Sequence, residues 1–192
     1  MTLDHLWAAW RGEYIDQATE RERVDAAHGV AAGAGEQCVF CAILASGAPD
    51  GDTNIVFRGT HVFVIMNAFP YTSGHVMVMP YRHVRSLGEL TSPTVPTGSG
   101  ESAELWATVV EATAVLQRAY NPEGINVGIN LGRAAGAGIP GHLHVHLVPR
   151  WNGDTNFMTS VAGARVMPES LSHSGDRLRR AWESNDDRRT SS

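Results

Sequence analysis

No stretch of this 192-residue chain approaches the roughly 18 consecutive apolar residues of a membrane-spanning helix, and no basic-then-apolar leader is visible. The expectation is a protein that neither spans a membrane nor is exported, with the cytoplasm as its default location. Basic residues are in the minority: 15 Lys and Arg stand against 20 Asp and Glu, for a net charge of -5 and a pI near 6.0. A general nucleic-acid binder normally carries a basic surface, so the balance argues against that class while leaving room for a small anionic ligand held by a few local donors. Cysteine is scarce, with two in the whole chain, Cys38 and Cys41. In a cytosolic protein a C-x-x-C pair is half of a metal site or a redox pair. The redox reading usually goes with a βαβ neighbourhood that the sequence does not show. A structural zinc site would need two further ligands, and free surface thiols are the remaining possibility. Nothing suggests a second domain: 43% hydrophobic residues in a chain of this length suffice for one well-buried core.

What the chain does have is three histidines at alternate positions, His142-Leu143-His144-Val145-His146, followed by Leu147-Val148-Pro149-Arg150. A strand sends alternate side chains to opposite faces, which predicts three imidazoles on one face and Leu143, Val145 and Leu147 on the other. Ideal strand spacing puts neighbouring rings about 6.6 Å apart and the outer pair about 13 Å apart, too far for one metal ion to collect all three. A division of labour follows, with a central ring that reacts and flanking rings that orient, donate or ligate. Neutral imidazole is a nucleophile, charged imidazole is a donor, and the two interconvert near physiological pH. A metal-binding tract, or a half-buried strand that happens to carry histidines, is the plainer alternative.

Along the chain, residues 3–15 carry helical apolar spacing, and Trp7, Trp10 and Trp106 fall in helix-like segments as expected packing anchors. Residues 26–35 form an Ala/Gly-rich connection. Strand patterns follow at Asn54–Arg58, His61–Met66 and His75–Met79, with turn chemistry at Arg58-Gly59 and from Pro70 to Gly74. The run TSPTVPTGSG at 91–100 predicts a mobile loop. Residues 101–120 predict a long helix with Leu105, Val109, Ala112, Val115 and Leu116 on one side. Strands at Gly124–Asn130 and His142–Val148 complete the set, and the polar residues 183–192 are expected to fray. Strands with one long central helix predict an α+β fold, an antiparallel sheet with helices on one face. The expected units are an N-terminal helix and linker (1–35), a core domain (36–170) and a C-terminal helix with its tail (171–192).

The string GHLHVHLVPRW resembles the signature of the histidine-triad (HIT) nucleotide hydrolases and transferases. Three other stretches agree with it. Leu6-Trp7-Ala8-Ala9-Trp10-Arg11 with Tyr14-Ile15 is similar to the opening of the branch that includes actinobacterial diadenosine tetraphosphate phosphorylases. Gly74-His75-Val76-Met77-Val78-Met79-Pro80 resembles the family's central strand, and Trp151-Asn152-Gly153-Asp154-Thr155-Asn156-Phe157 resembles the phosphorylase-like branch after the triad. Together they span most of residues 6–170. The resemblance implies the HIT-like fold, usually paired as a symmetric homodimer.

It also implies roles. Zinc-bearing members take the histidine of a Pro-x-x-His turn, here His83, and the first triad histidine, His142, alongside Cys38 and Cys41; such a structural Zn2+ has no open position for chemistry. His144 is the expected nucleophile on the α-phosphorus of a nucleotide, giving a nucleotidyl-imidazole that a second nucleophile resolves. The backbone carbonyl of His142 would fix its tautomer, and His146 would donate to a non-bridging or leaving oxygen. His75 completes the phosphate cradle or is a satisfied core residue. Asn67 matches a ribose-binding position, while Val39, Phe40 and Ile43 match a purine pocket and could equally be core. Asn130 is a phosphate-side hydrogen bonder; Arg133 and Arg150 add charge-assisted contacts or stay solvated. Gly138 stands where many relatives carry Ser, Thr or Gln, so backbone amides of the loop 132–141 must serve instead. That departure leaves the acceptor open among water, inorganic phosphate and a sugar phosphate, while the resemblance at Trp10-Arg11 and Asn152–Phe157 puts phosphorolysis of a diadenosine polyphosphate ahead of hydrolysis. A purine nucleoside phosphoramidate hydrolase and a non-catalytic nucleotide-binding regulator are the alternatives.

Overall fold

The computed structural model describes residues 38–91, 98–154 and 169–190. The expected helix at residues 3–15, the connection at 26–35, Trp7, Trp10, Asn156 and Phe157 lie outside these, as does most of the loop expected at 91–100. In chain order the elements are α1 (Val39–Ala45), α2 (Asp50–Thr53), β1 (Ile55–Arg58), β2 (Val62–Met66), β3 (Val76–Pro80), α3 (Leu87–Leu90), α4 (Gly98–Tyr120), β4 (Gly124–Ile129), a 3-10 turn (Arg133–Ala135), β5 (Val145–Arg150) and α5 (Leu171–Thr190). The five strands form one sheet in the order β1-β2-β3-β5-β4, with every neighbouring pair antiparallel. This is the expected α+β arrangement.

Alternation divides the sheet into two apolar layers. Val62, Val64, Val76, Val78, Val145 and Leu147 face α4 and α5, where Leu105, Val109, Ala112, Val115 and Leu116 of α4 meet Leu178 and Trp182 of α5. Ile55, Phe63, Ile65, Met77 and Met79 face the other way, against Cys38 and Phe40. The register pairs Met77 with His146 and Val76 with Leu147, which puts His146 on the α1 side of the sheet.

Several boundaries differ from the sequence expectation. The long helix begins at Gly98, inside the expected loop. The last helix continues to Thr190 where fraying was expected, and Leu178 and Trp182 anchor its middle turns in the core, with Trp182 stacked on Phe57 at 4.6 Å. Trp106 is not a packing anchor: it stands 44% exposed on the outer side of α4. The most consequential difference lies at the histidines. Regular strand starts at Val145, so His142 and His144 occupy the approach to β5, where Leu143 N–H donates to Val84 O at 2.6 Å.

Candidate active site and metal cluster

Leaving the strand early lets the histidine rings crowd and diverge. The His144 and His146 rings lie 4.8 Å apart at 77°, closer than ideal strand spacing, while His142 turns towards α1. His142 and His144 are both buried, and the Phe40 ring meets each edge-on at 5.5 and 5.7 Å. His75, at the start of β3 and fully buried, closes the row: its Nε2 lies 3.0 Å from Nδ1 of His146.

Fixed backbone groups assign the tautomers. A carbonyl can only accept, so the 2.9 Å contact between His142 Nε2 and Pro80 O places a proton on that nitrogen and leaves Nδ1 as a lone pair. His144 Nδ1 donates to His142 O at 2.7 Å, so its Nε2 lone pair is the one free to attack. Tyr71 N–H donates to His75 Nδ1 at 3.1 Å, so His75 Nε2–H donates to His146 Nδ1, and the proton of neutral His146 sits on Nε2. Burial keeps these rings neutral. It lowers His142 and His144 below the ordinary imidazole value and takes His146 down to about 4, helped by its proximity to His144. A nucleophilic lone pair on His144 thus stands beside an N–H donor on His146.

The second constellation draws on four separate segments. Cys38 precedes α1, Cys41 lies in its first turn, His83 follows β3 and His142 precedes β5, and their ligand atoms all lie within 4.8 Å of one another. Sγ of Cys38 is 3.4 Å from His142 Nδ1, and Sγ of Cys41 is 3.4 Å from His83 Nδ1 and 3.7 Å from His142 Nδ1. Metal–ligand bonds of about 2.3 Å to sulfur and about 2.0 Å to nitrogen give tetrahedral S···N edges of about 3.5 Å, so the donor set fits a four-coordinate ion. The His142 tautomer agrees, since Pro80 O holds the proton away from the nitrogen that faces the sulfurs. Burial, followed by the neighbouring Cys38, pushes the Cys41 thiol up to about 11. His142 joins the two constellations, because its ring belongs to the cluster and its carbonyl orients His144.

Other expected site residues are placed as follows. Asn67 sits beside His75, with Nδ2 3.4 Å from His75 Nδ1 and Oδ1 accepting from Phe69 N–H at 3.0 Å. Phe40 abuts the histidines, while Val39 and Ile43 share another side of α1, the first exposed and the second half-buried. Asn130 reaches across the loop before the triad to Gly136 O at 3.4 Å, and Gly138 lies exposed in that loop with open space where a side chain would project. Arg133 falls in the exposed 3-10 turn, and the Arg150 fork is engaged by Asp154, at 2.5 and 2.8 Å. Sequence reasoning missed Tyr71. Its ring lies 4.7 Å from His75 and 6.5 Å from His146, and its backbone sets the His75 tautomer. The turn chemistry at 70–74 marked the place without the role. Gly74 in that turn has φ +78°, and a Cβ there would strike the Tyr120 ring.

Residues 49–153 match the HIT domain family model. The AP-4-A phosphorylase of Mycobacterium tuberculosis (strain ATCC 25618 / H37Rv) is 37% identical over 180 residues, covering 94% of this chain and 85% of that protein. The nitrilase and fragile histidine triad fusion protein NitFhit of Caenorhabditis elegans is 34% identical over 101 residues, 53% of this chain and 21% of its own length. Among solved structures, a Zn-bound histidine triad family protein from Mycobacterium smegmatis superposes with a TM-score of 0.59 at 30% identity, covering 80% of this chain and 99% of that one. A hypothetical histidine triad nucleotide-binding protein from Sulfolobus tokodaii gives 0.58 at 25% identity, covering 77% and 93%.

Proposed function

This chain belongs to the HIT domain family, and from that premise we propose that its histidine row cleaves diadenosine polyphosphates in two displacements at one phosphorus. The protein is a HIT-family nucleotidyl enzyme of the AP-4-A phosphorylase kind. In the first step the Nε2 lone pair of His144 attacks the α-phosphorus. An N–P bond forms, the bridging P–O bond breaks, and with a tetraphosphate ATP departs while AMP stays on His144. His146 Nε2–H donates a hydrogen bond to the departing oxygen. A hydrogen bond is enough, because the second ionisation of a phosphate lies near pKa 6 and the leaving chain can depart as an anion. In the second step inorganic phosphate attacks the same phosphorus, breaks the N–P bond and releases ADP; water as acceptor would release AMP. The observation that carries this reading is the 2.7 Å bond from His144 Nδ1 to His142 O, which commits the lone pair to the other nitrogen.

Zinc is the ion proposed for the Cys38, Cys41, His83 and His142 cluster. Two thiolates and two imidazoles at tetrahedral spacing suit it, and all four positions are taken by protein, so its contribution is to hold the N-terminal side of α1 to the approach of β5. A homodimer is proposed as the working unit. The support is β4, a sheet-edge strand with Val127 45% exposed, together with the exposed Trp106 and Val110 one turn apart on α4. Sedimentation of the purified chain reports that state directly.

The deciding experiment is product analysis with diadenosine tetraphosphate, with and without inorganic phosphate. ADP plus ATP that requires phosphate identifies the phosphorylase, and AMP plus ATP without it identifies water as acceptor. Absence of turnover in both overturns the dinucleotide reading.

A further inference from the structure

The side-chain amide of Asn67 lies half-buried where β2 ends, beyond His75 at the outer end of the histidine row, and has no place in the two displacements described above. We propose that Asn67 is a positioning residue, which acts through His75 to hold His146 in the one proton arrangement that presents an N–H to the departing oxygen. That role rests on the nucleotide-cleavage reading of the row and deepens it, by naming what orders the leaving-group end.

Fixed donors orient the amide. Phe69 N–H reaches Asn67 Oδ1 at 3.0 Å, and because a backbone N–H can only donate, the oxygen faces the turn and the NH2 group faces His75. Nδ2 then lies 3.4 Å from His75 Nδ1, which also receives Tyr71 N–H at 3.1 Å. Two donors aimed at one nitrogen leave it no proton of its own, so the His75 proton sits on Nε2 and is offered to His146 Nδ1 at 3.0 Å. Donation runs one way, from Asn67 and Tyr71 to His75 and from His75 to His146, and it ends at His146 Nε2–H. Asparagine suits the place because it accepts from Phe69 and donates to His75, whereas a carboxylate could only accept.

The backbone holds both ends of this chain of bonds. Asn67 N–H bonds to His75 O at 3.0 Å, which continues the β2–β3 ladder one pair beyond Met66 and Val76. Within the turn, His75 N–H bonds to Thr72 O at 3.2 Å, and the Thr72 hydroxyl donates to Pro149 O at 2.7 Å. Pro149 lies in β5 with His146, so the turn that carries the donors is tied to the strand that carries the last acceptor. His75 is fully buried, and without water at hand its neighbours decide its tautomer. A neutral His75 with the proton on Nδ1 would aim it at two N–H groups and turn a lone pair towards His146. His146 would then need its own proton on Nδ1, and the donor at Nε2 would be lost.

The bond and its consequence can be measured separately. In resting protein carrying isotope-labelled histidine, nitrogen NMR identifies the His75 signals by their loss in His75→Phe. Asn67→Ala should move His75 Nδ1 towards the shift of an unbonded pyridine-type nitrogen, with the His144 signals unmoved as the control for folding. Single-turnover release of ATP from diadenosine tetraphosphate should slow by about three- to tenfold, the scale of one neutral hydrogen bond. That factor should vanish in a His75→Phe background, where the amide has nothing to act through, whereas a general structural defect would add to the loss. An unmoved His75 Nδ1 overturns the proposal, as does a slowing of equal size in both backgrounds or a change confined to KM. If the wild type cleaves no dinucleotide, the functional reading falls and the nitrogen shift still decides: movement sustains the Asn67 bond, and its absence removes it.

Discussion

His75 and His146 meet nitrogen to nitrogen at 3.0 Å across the seam between β3 and β5, and that contact decides which nitrogen of neutral His146 carries the proton. Tyr71 N–H can only donate, so it fixes His75 and, through it, His146. His75→Phe keeps the bulk and removes the chain. The expected outcome is a fall in kcat of about 10²-fold with little change in KM, because the donor is lost to the departing oxygen and not to substrate binding. His75→Asn, which retains a donor, should recover part of it. A change confined to KM would place His75 in binding.

The pH dependence follows from burial. His144 titrates below the ordinary imidazole value and His146 near 4, so both are neutral through the physiological range. The acid limb of kcat/KM is expected below pH 6.5, with a flat profile above it. A limb centred at 6.5 would mean that the reacting ring is solvated. Stability moves in the same sense. The unfolded chain binds more protons than the native one between about 6.5 and about 4, so the contribution of His146 is complete above 6.5 and is lost as pH falls towards 4. Urea midpoints at pH 7.5, 5.5 and 4.5 should fall in that order, and by less in His146→Gln.

Removing the zinc proposed for the cluster should weaken both stability and catalysis, because the His142 ring belongs to that cluster and its carbonyl is the His144 acceptor. Chelation, or Cys38→Ser, is expected to lower Tm and to cut kcat about 10- to 100-fold without abolishing it, as when a supporting group rather than a reacting one is disturbed. With the Cys41 thiol pushed up to about 11, loading releases protons, so metal affinity should drop as pH falls. An unchanged Tm after complete chelation would deny the cluster a structural role.

How much of this was legible in sequence depends on the range of the contacts involved. The apolar stripe of α4 could be read directly, since Leu105, Val109, Ala112, Val115 and Leu116 repeat at helical spacing and all five are buried. The histidine period was visible, but the strand register was not. Val84 O captures Leu143 N–H and keeps His142 and His144 out of the regular ladder, a contact 59 residues distant in sequence. The C-x-x-C pair left metal and redox chemistry open on its own residues, because the other two ligands arrive from β3 and the triad loop; only the family resemblance named His83 and His142. Polar composition hid how far the expected C-terminal helix runs, and its hold on the core is tertiary.

Trp182 supplies that hold. It is 3% exposed and stacked on Phe57 at 4.6 Å, so Trp182→Ala should destabilise the fold by about 3–5 kcal/mol in denaturant unfolding. Its indole N–H has no partner, so Trp182→Phe, which keeps the stack and removes the orphaned donor, should cost clearly less. Equal losses would mean that volume rather than stacking carries the helix.

Gly138 offers control over the acceptor. Its φ lies outside the left-handed region and nothing comes within 4 Å of an added Cβ, so Gly138→Ser should fold with an unchanged Tm. The loop then gains a hydroxyl, while Asn130 continues to span it to Gly136 O. With glycine, the loop offers N–H donors and no side-chain hydroxyl at this position, an arrangement that suits a compact anion such as inorganic phosphate. A serine hydroxyl can also accept a hydrogen bond and so orient a water molecule, which an amide N–H cannot do in that sense. The expected outcome is a higher AMP-to-ADP product ratio at fixed phosphate, by a few-fold, with the rate of ATP release little changed because the first displacement does not use the acceptor. A slower ATP release at an unaltered ratio would instead assign the loop to binding the leaving chain.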